Sequence, residues 1–182
     1  MQTTATDLRT AALEQFAAAG YLGTSIQDVA DRAGVSKASV LYHYSSKEAL
    51  LEAVLAPALD ELRTFVPRTA ALSGDTAERV AYLSDFVDFL MRNRLSAQIF
   101  VTQSGVLGDL PIVQQAQEIM ERIADERSHR SLDDHVRFAI ALGGAAYLLA
   151  QLGQLHRTGA PDDADLRASL IRILGELLAP AA

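Results

Sequence analysis

Apolar residues recur every three or four positions along most of the chain, and strict two-residue alternation is almost absent, which predicts helices throughout and no sheet. Leu8, Ala12, Phe16 and Ala19 set the apolar face of a first helix over 6–19, and Gly20 follows where a left-handed C-cap is expected. "TSIQDVADRA" restarts the pattern with Thr24 or Ser25 as N-cap. Thr24 with Gln27 fits a capping box, and Asp28 adds favourable charge near the first turn. This second helix ends near Ala33, Gly34 and Val35 form a tight turn, and Ser36 caps a third helix of about two turns that runs through Tyr44. "SSKEALLEAVLAPALDELRTF" opens a fourth, capped by Ser45 or Ser46, which Pro57 should kink or break. "VPRTAALSGD" reads as a linker, and further helices are expected near 76–93, 96–104, 111–128, 132–156 and 163–178. The expectation is an all-α fold of about nine helices, divided into an N-terminal three-helix domain, 1–47, and a helical domain, 48–182.

Composition narrows the class. The 182 residues suffice for a sizeable core. The absence of cysteine excludes a disulfide framework and a thiolate metal site, and "MQTTATDLRT" lacks the order of a secretory signal, so a cytoplasmic protein is expected. The run "FAIALGGAAYLLAQLGQL", 138–155, is interrupted by two glutamines and is short for a membrane span, so a buried helix is expected. Net charge is −7 and unevenly held: residues 1–50 carry Arg9, Arg32, Lys37 and Lys47 against Asp7, Glu14, Asp28, Asp31 and Glu48, or −1. The N-terminal part is therefore the least repulsive to a polyanion, yet not basic enough for a strongly electrostatic, sequence-blind nucleic-acid binder.

That part also carries a motif. Ala30 allows two helices to cross closely, Gly34 supplies the positive φ of a three-residue turn, and Val40 locks the second helix onto the first: a helix-turn-helix. Around it, Thr24, Ser25, Ser36 and Ser39 offer hydroxyls at helix starts, Tyr42 and His43 end the short helix, and Lys37 and Lys47 supply cations. Tyr42 and Tyr44, two apart, cannot share a helix face, so Tyr44 is expected in the core.

The stretch "TSIQDVADRAGVSKASVLYHYSSKEALL" closely resembles the N-terminal domain of the tetracycline-repressor-like (TetR) family of bacterial transcription regulators, a likeness running from Leu8 to about Leu55. The resemblance implies that the third helix enters the major groove of a double-stranded DNA operator. Lys37, Ala38, Ser39 and Tyr42 then occupy recognition positions, and Thr24, Ser25, His43 and Lys47 phosphate-contacting ones. Ala38 stands where glycine is frequent in the family, and Leu41 where tyrosine often precedes the second aromatic.

Farther on, no catalytic constellation is visible, and a non-enzyme without metal or cofactor is expected. His129, His135 and His156 lack a metal-type i, i+4 pairing, and Asp133 and Asp134 beside His135 sit at a helix start, where carboxylates are favoured anyway. Gly143, Ala146, Ala150 and Gly153 form a small-residue stripe, and Leu166, Leu170, Ile173 and Leu177 a matching apolar seam. Intramolecular packing alone would produce both; the resemblance implies instead a homodimer joined by a four-helix bundle of these segments. Tyr82, Phe86, Phe89, Phe100, Met120, Phe138 and Tyr147 lie at core spacing, and the resemblance makes them candidate walls of an effector cavity, with Gln98, Gln103 and Tyr147 as polar anchors. The fourth helix, through Leu59, Leu62 and Phe65, would link that cavity to the reading domain.

The expected function is a ligand-responsive, DNA-binding transcriptional regulator. It would act as a repressor, bind a palindromic operator as a homodimer, stay off membranes and respond to a small apolar or amphipathic effector. The competing reading is an all-helical DNA-binding interaction protein whose C-terminal domain takes a protein partner.

Overall fold

The N-terminal helices begin and end where small residues allow it. The computed structural model describes residues 5–125, 131–155 and 162–179, the surroundings of residues 73, 124–125 and 153–155 excepted. Helix α1 (Ala5–Ala19) buries Leu8, Ala11, Ala12 and Phe16, and Gly20 then reverses the chain at φ +78°. Helix α2 (Ile26–Ala33) is capped by Ser25: its Oγ accepts the Asp28 N–H at 3.2 Å, and the Asp28 carboxylate accepts the Ser25 N–H at 2.7 Å. The capping box is therefore Ser25 with Asp28 and not Thr24 with Gln27, because the Thr24 side chain is turned inward.

Helix α3 (Lys37–His43) is capped by Ser36, and α4 (Lys47–Arg63) by Ser46. Pro57 neither breaks nor ends α4. Its ring lies on the exposed side, where the carbonyl of Ala53, deprived of its helical donor, can be hydrated.

The segment expected as a linker is a 3₁₀ helix (Val66–Ser73) that buries Thr69 and Leu72. Next come α5 (Thr76–Arg92), opened by a capping box of Asp75 and Glu78, α6 (Arg94–Leu107), α7 (Pro111–Asp125), α8 (Leu132–Leu155) and α9 (Asp163–Leu177). Residues 126–128 and His156, expected at helix ends, lie outside the described residues, as does His129. The described residues thus form nine α-helices and one 3₁₀ helix, with no strand.

One apolar cluster runs from Leu8 to Leu178, so the N-terminal helices and the helices that follow share a continuous core through α1, α4 and α6. Helix α8 lies along α6 and also touches α5 and α9. Its segment Leu132–Leu152 is long and apolar enough to cross a membrane, but its inner face, with Phe138, Leu142, Ala145 and Leu149, packs into this core. Helix α9 is pinned to α5 by a bidentate pair, Arg167 donating to Asp88 at 2.5 and 2.8 Å. The guanidinium holds the Asp88 carboxyl below the usual carboxylate range.

Candidate nucleic-acid interface and effector cavity

Two backbone hydrogen bonds close the α2–α3 turn. Val35 N–H donates to the Ala30 carbonyl at 2.9 Å and Gly34 N–H to Asp31 at 3.2 Å, a Schellman closure that needs the left-handed Gly34, φ +69°. Val29, Ala30 and Val40 are fully buried beneath it, and Tyr44 packs half-buried against the same core.

The other side of α3 faces outward. Lys37, Ala38, Leu41 and His43 are exposed, Ser39 is half-buried, and Tyr42 is 85% exposed with no core contact. So large an uncovered ring on so rigid a helix is consistent with a recognition surface. Ser25 and Ser36 are also exposed. Each oxygen accepts a helix N–H, which leaves the hydroxyl proton to be donated to a phosphate.

Two expected phosphate contacts are placed differently. Thr24 is only 2% exposed, and its hydroxyl donates to the carbonyls of Gly20 at 2.8 Å and Gln15 at 3.3 Å, so it closes the α1–α2 loop instead of facing a ligand. The Lys47 ammonium donates to the carbonyls of Tyr21 and Thr24, both at 2.9 Å, and sits 4.1 Å above the Tyr21 ring. Two of its three N–H groups thus hold the loop, and one remains for an anion.

Tyr21 is the centre of this loop. Its phenol donates to Glu48 at 2.9 Å; burial first, and then the neighbouring carboxylate, push it up to about 12, while Glu48 is lowered first by its own backbone N–H and then by the Tyr21 phenol. Its backbone N–H donates to Gln103 Oε1 at 2.7 Å.

Gln103 and Gln98 were expected as ligand anchors, and the structure corrects both. Gln103 Nε2 donates to the Phe16 carbonyl at 3.0 Å and Gln98 Nε2 to Ala17 at 2.9 Å. Both amides dock α6 onto the last turn of α1, satisfying carbonyls that a helix end leaves without partners.

A cavity of about 420 Å³ opens among α4 to α8. Helix α4 supplies Ala58 and Leu62; α5 supplies Phe86, Phe89 and Leu90; α6 supplies Ser96, Ala97, Phe100, Val101 and Ser104. Helix α7 adds Val113, Ala116, Gln117 and Met120, α8 adds Leu142, Gly143, Ala146 and Tyr147, and Asn93 closes the α5–α6 corner. Five expected wall residues, Phe86, Phe89, Phe100, Met120 and Tyr147, are there. Tyr82 and Phe138 are not: Tyr82 is buried edge-on to Phe65 with ring centroids 5.7 Å apart, and Phe138 is buried elsewhere in the core. Asn93, Ser96, Ser104 and Gln117 escaped the sequence reading, since single polar residues on amphipathic helices look like surface positions. The size and apolar walls suit a small organic ligand.

The expected dimer surface also shifts. Ala150 is 2% exposed and Leu170 6%, both buried within the chain, whereas Ala146 is half-buried and Gly143 exposed where they line the cavity, so the small-residue stripe is not one continuous face. The surroundings of Gly153 lie outside the described residues. Leu166 and Leu177 pack half-buried on the core, and of the expected seam only Ile173 is exposed, at 43%. The uncovered apolar row is instead Val136, Ile140, Tyr147 and Leu148 on α8, with Ile140 60% and Tyr147 56% exposed.

His135 Nδ1 lies 3.0 Å from the Ser131 carbonyl, and Asp134 accepts the Ser131 hydroxyl at 2.9 Å, contacts that close the first turn of α8. Among the described residues, no three of His, Asp and Glu gather as a metal site would require.

Residues 8–54 match the family of bacterial regulatory proteins of the tetR type. Over 50 residues the chain is 50% identical to the helix-turn-helix-type transcriptional regulator RutR of Escherichia coli, a match covering 28% of this chain and about a quarter, 24%, of RutR. It is 28% identical over 184 residues to the regulatory protein RaaS of Mycobacterium tuberculosis, covering 96% of this chain and 81% of that one. In fold it is similar to SCO3833, a TetR-family member from Streptomyces coelicolor, with a TM-score of 0.70 at 22% identity over 98% and 91% of the two chains. A tetR-family regulatory protein from Rhodococcus RHA1 aligns over 100% of both chains, with a TM-score of 0.64 at 21% identity. With its capped helix-turn-helix, the segment 8–54 matches the tetR family of bacterial regulatory proteins, and the whole chain shares the fold of solved structures from that family.

Proposed function

We propose that the protein is a cytoplasmic, ligand-responsive transcriptional regulator: a repressor that holds a palindromic operator as a homodimer and lets go when a small apolar molecule fills its cavity. The observation that carries the DNA half is the outward side of α3, where Lys37, Ala38, Ser39 and Tyr42 stand on a helix fixed from behind by Val40. Flanking it, Ser25, Ser36, His43 and the remaining N–H of Lys47 would meet phosphates in this reading.

The cavity supports the ligand half over a protein partner there, since its apolar walls converge from five helices on a volume suited to a small molecule. The exposed row of Val136, Ile140, Tyr147, Leu148 and Ile173 supports dimerisation, with α8 and α9 meeting their copies across a two-fold axis. Selection of bound duplexes from fragments of the host genome tests this reading. A palindrome with half-sites one helical turn apart, or a small multiple of that, is expected, and enrichment of no sequence counts against it.

A further inference from the structure

Asn93 belongs to the cavity wall and to the hold on α4 at once. Its Nδ2 donates to Glu61 Oε2 at 2.9 Å and to the Phe89 carbonyl at 3.0 Å. Both partners are pure acceptors, so the orientation of the amide is settled by its surroundings. Both N–H groups are committed, and the side chain has only its carbonyl oxygen to offer a ligand.

Glu61 lies on the last turn of α4, beside the cavity residues Ala58 and Leu62, and it also pairs with Arg92. One turn of α4 is therefore both a wall of the cavity and a load held by the α5–α6 corner. Among the described residues the wall contains no Asp, Glu, Lys, Arg or His. An ion bound there would lose its hydration with no opposite charge in return.

We propose that the effector is an uncharged, apolar molecule bearing a hydrogen-bond donor, that Asn93 reads the donor, and that the Asn93–Glu61 bond is the latch through which occupancy reaches α4. This rests on the reading of the cavity as the effector site. A hydroxyl delivered to Asn93 Oδ1 strengthens the interaction only if the amide keeps its orientation. A ligand with acceptors alone must instead take an N–H from Glu61 or Phe89, leaving a polar partner unsatisfied. Filling the space against Leu62 pushes α4 outward, and the amide that senses the ligand also holds the carboxylate that resists the push.

The test is calorimetric titration of the full chain with 1-octanol, 1-methoxyoctane and octanoate at pH 7. Alongside it, hydrogen exchange is followed across residues 58–63. The alcohol should bind about 3- to 10-fold more tightly than the ether, the range of one neutral hydrogen bond, and octanoate most weakly. Asn93→Ala should abolish the preference for the alcohol. Glu61→Ala should keep the preference but remove the alcohol's effect on exchange in α4. Equal binding of alcohol and ether, or tightest binding of octanoate, overturns the proposed ligand class, and an unchanged exchange response in Glu61→Ala overturns the latch. Either result leaves an effector cavity standing. Binding of none of the three overturns the inference, and operator recognition is then judged by DNA titration alone. The alcohol–ether comparison in wild-type protein holds even if Asn93→Ala fails to fold.

Discussion

Gln103 on α6 accepts the backbone N–H of Tyr21, 82 positions earlier, at 2.7 Å. The same residue Tyr21 gives its carbonyl to Lys47 at the start of α4. A helix that lines the cavity and the helix that opens at Lys47 are thus tied to one loop residue. Motion in α6 has a route to the α1–α2 loop that does not pass along α4.

Gln103→Ala leaves the Tyr21 N–H and the Phe16 carbonyl without their partner in a half-buried joint. The expected loss is about 1–3 kcal/mol of unfolding free energy, measured by urea denaturation. Faster hydrogen exchange is expected across residues 16–21, with the far end of α9 unaffected.

The proposed dimer surface separates two kinds of substitution. Ile140→Asp and Tyr147→Asp place a carboxylate on the exposed row and should yield helical monomers in sedimentation. Ala150→Leu, at a position buried within the chain, should overpack the core and cost about 1–3 kcal/mol of stability without dissociating the dimer.

Tyr21 gives the fold an alkaline limit. Its folded-state value, about 12, lies above the unfolded one near 10. Its contribution is therefore complete below about pH 10 and declines as pH rises towards 12. Tyr21→Phe should remove that part of the decline, and the phenolate absorbance titration should lose its step near 12. Asp88, lowered by Arg167, acts oppositely: its contribution is present at neutral pH and is lost on acidification below the ordinary carboxylate range near 4. Asp88→Asn should flatten the acid limb.

The N-terminal domain was legible because its determinants are local. Ser36, Gly34, Ala30 and Val40 act within ten residues of one another, and caps, a left-handed turn and a close crossing each demand particular residue types. Even there, Ser25 displaced Thr24 as cap, since either hydroxyl satisfies the pattern and only tertiary burial of Thr24 decides. The C-terminal helices were legible as helices and less so as faces. Gly143, Ala146 and Ala150 form a stripe of small residues, but periodicity does not say whether it faces α6, a cavity or a second chain. Gln98 and Gln103 looked like polar exceptions in an apolar wall. Their partners, Ala17, Phe16 and Tyr21, are more than 80 positions away and are backbone groups, which leave no trace in side-chain pattern. The 3₁₀ helix was read as a linker because its short-range bonds impose no 3.6-residue period.

DNA recognition itself is tested most directly by equilibrium titration of the wild type and Tyr42→Ala on a palindromic operator and on a scrambled duplex of the same composition and salt. Wild-type protein should prefer the operator by at least about 10³-fold. Tyr42→Ala should lose about 1–2 kcal/mol per protomer on the operator while keeping its helicity and its dimer. Equal affinity of the wild type for operator and scrambled duplex would contradict the account.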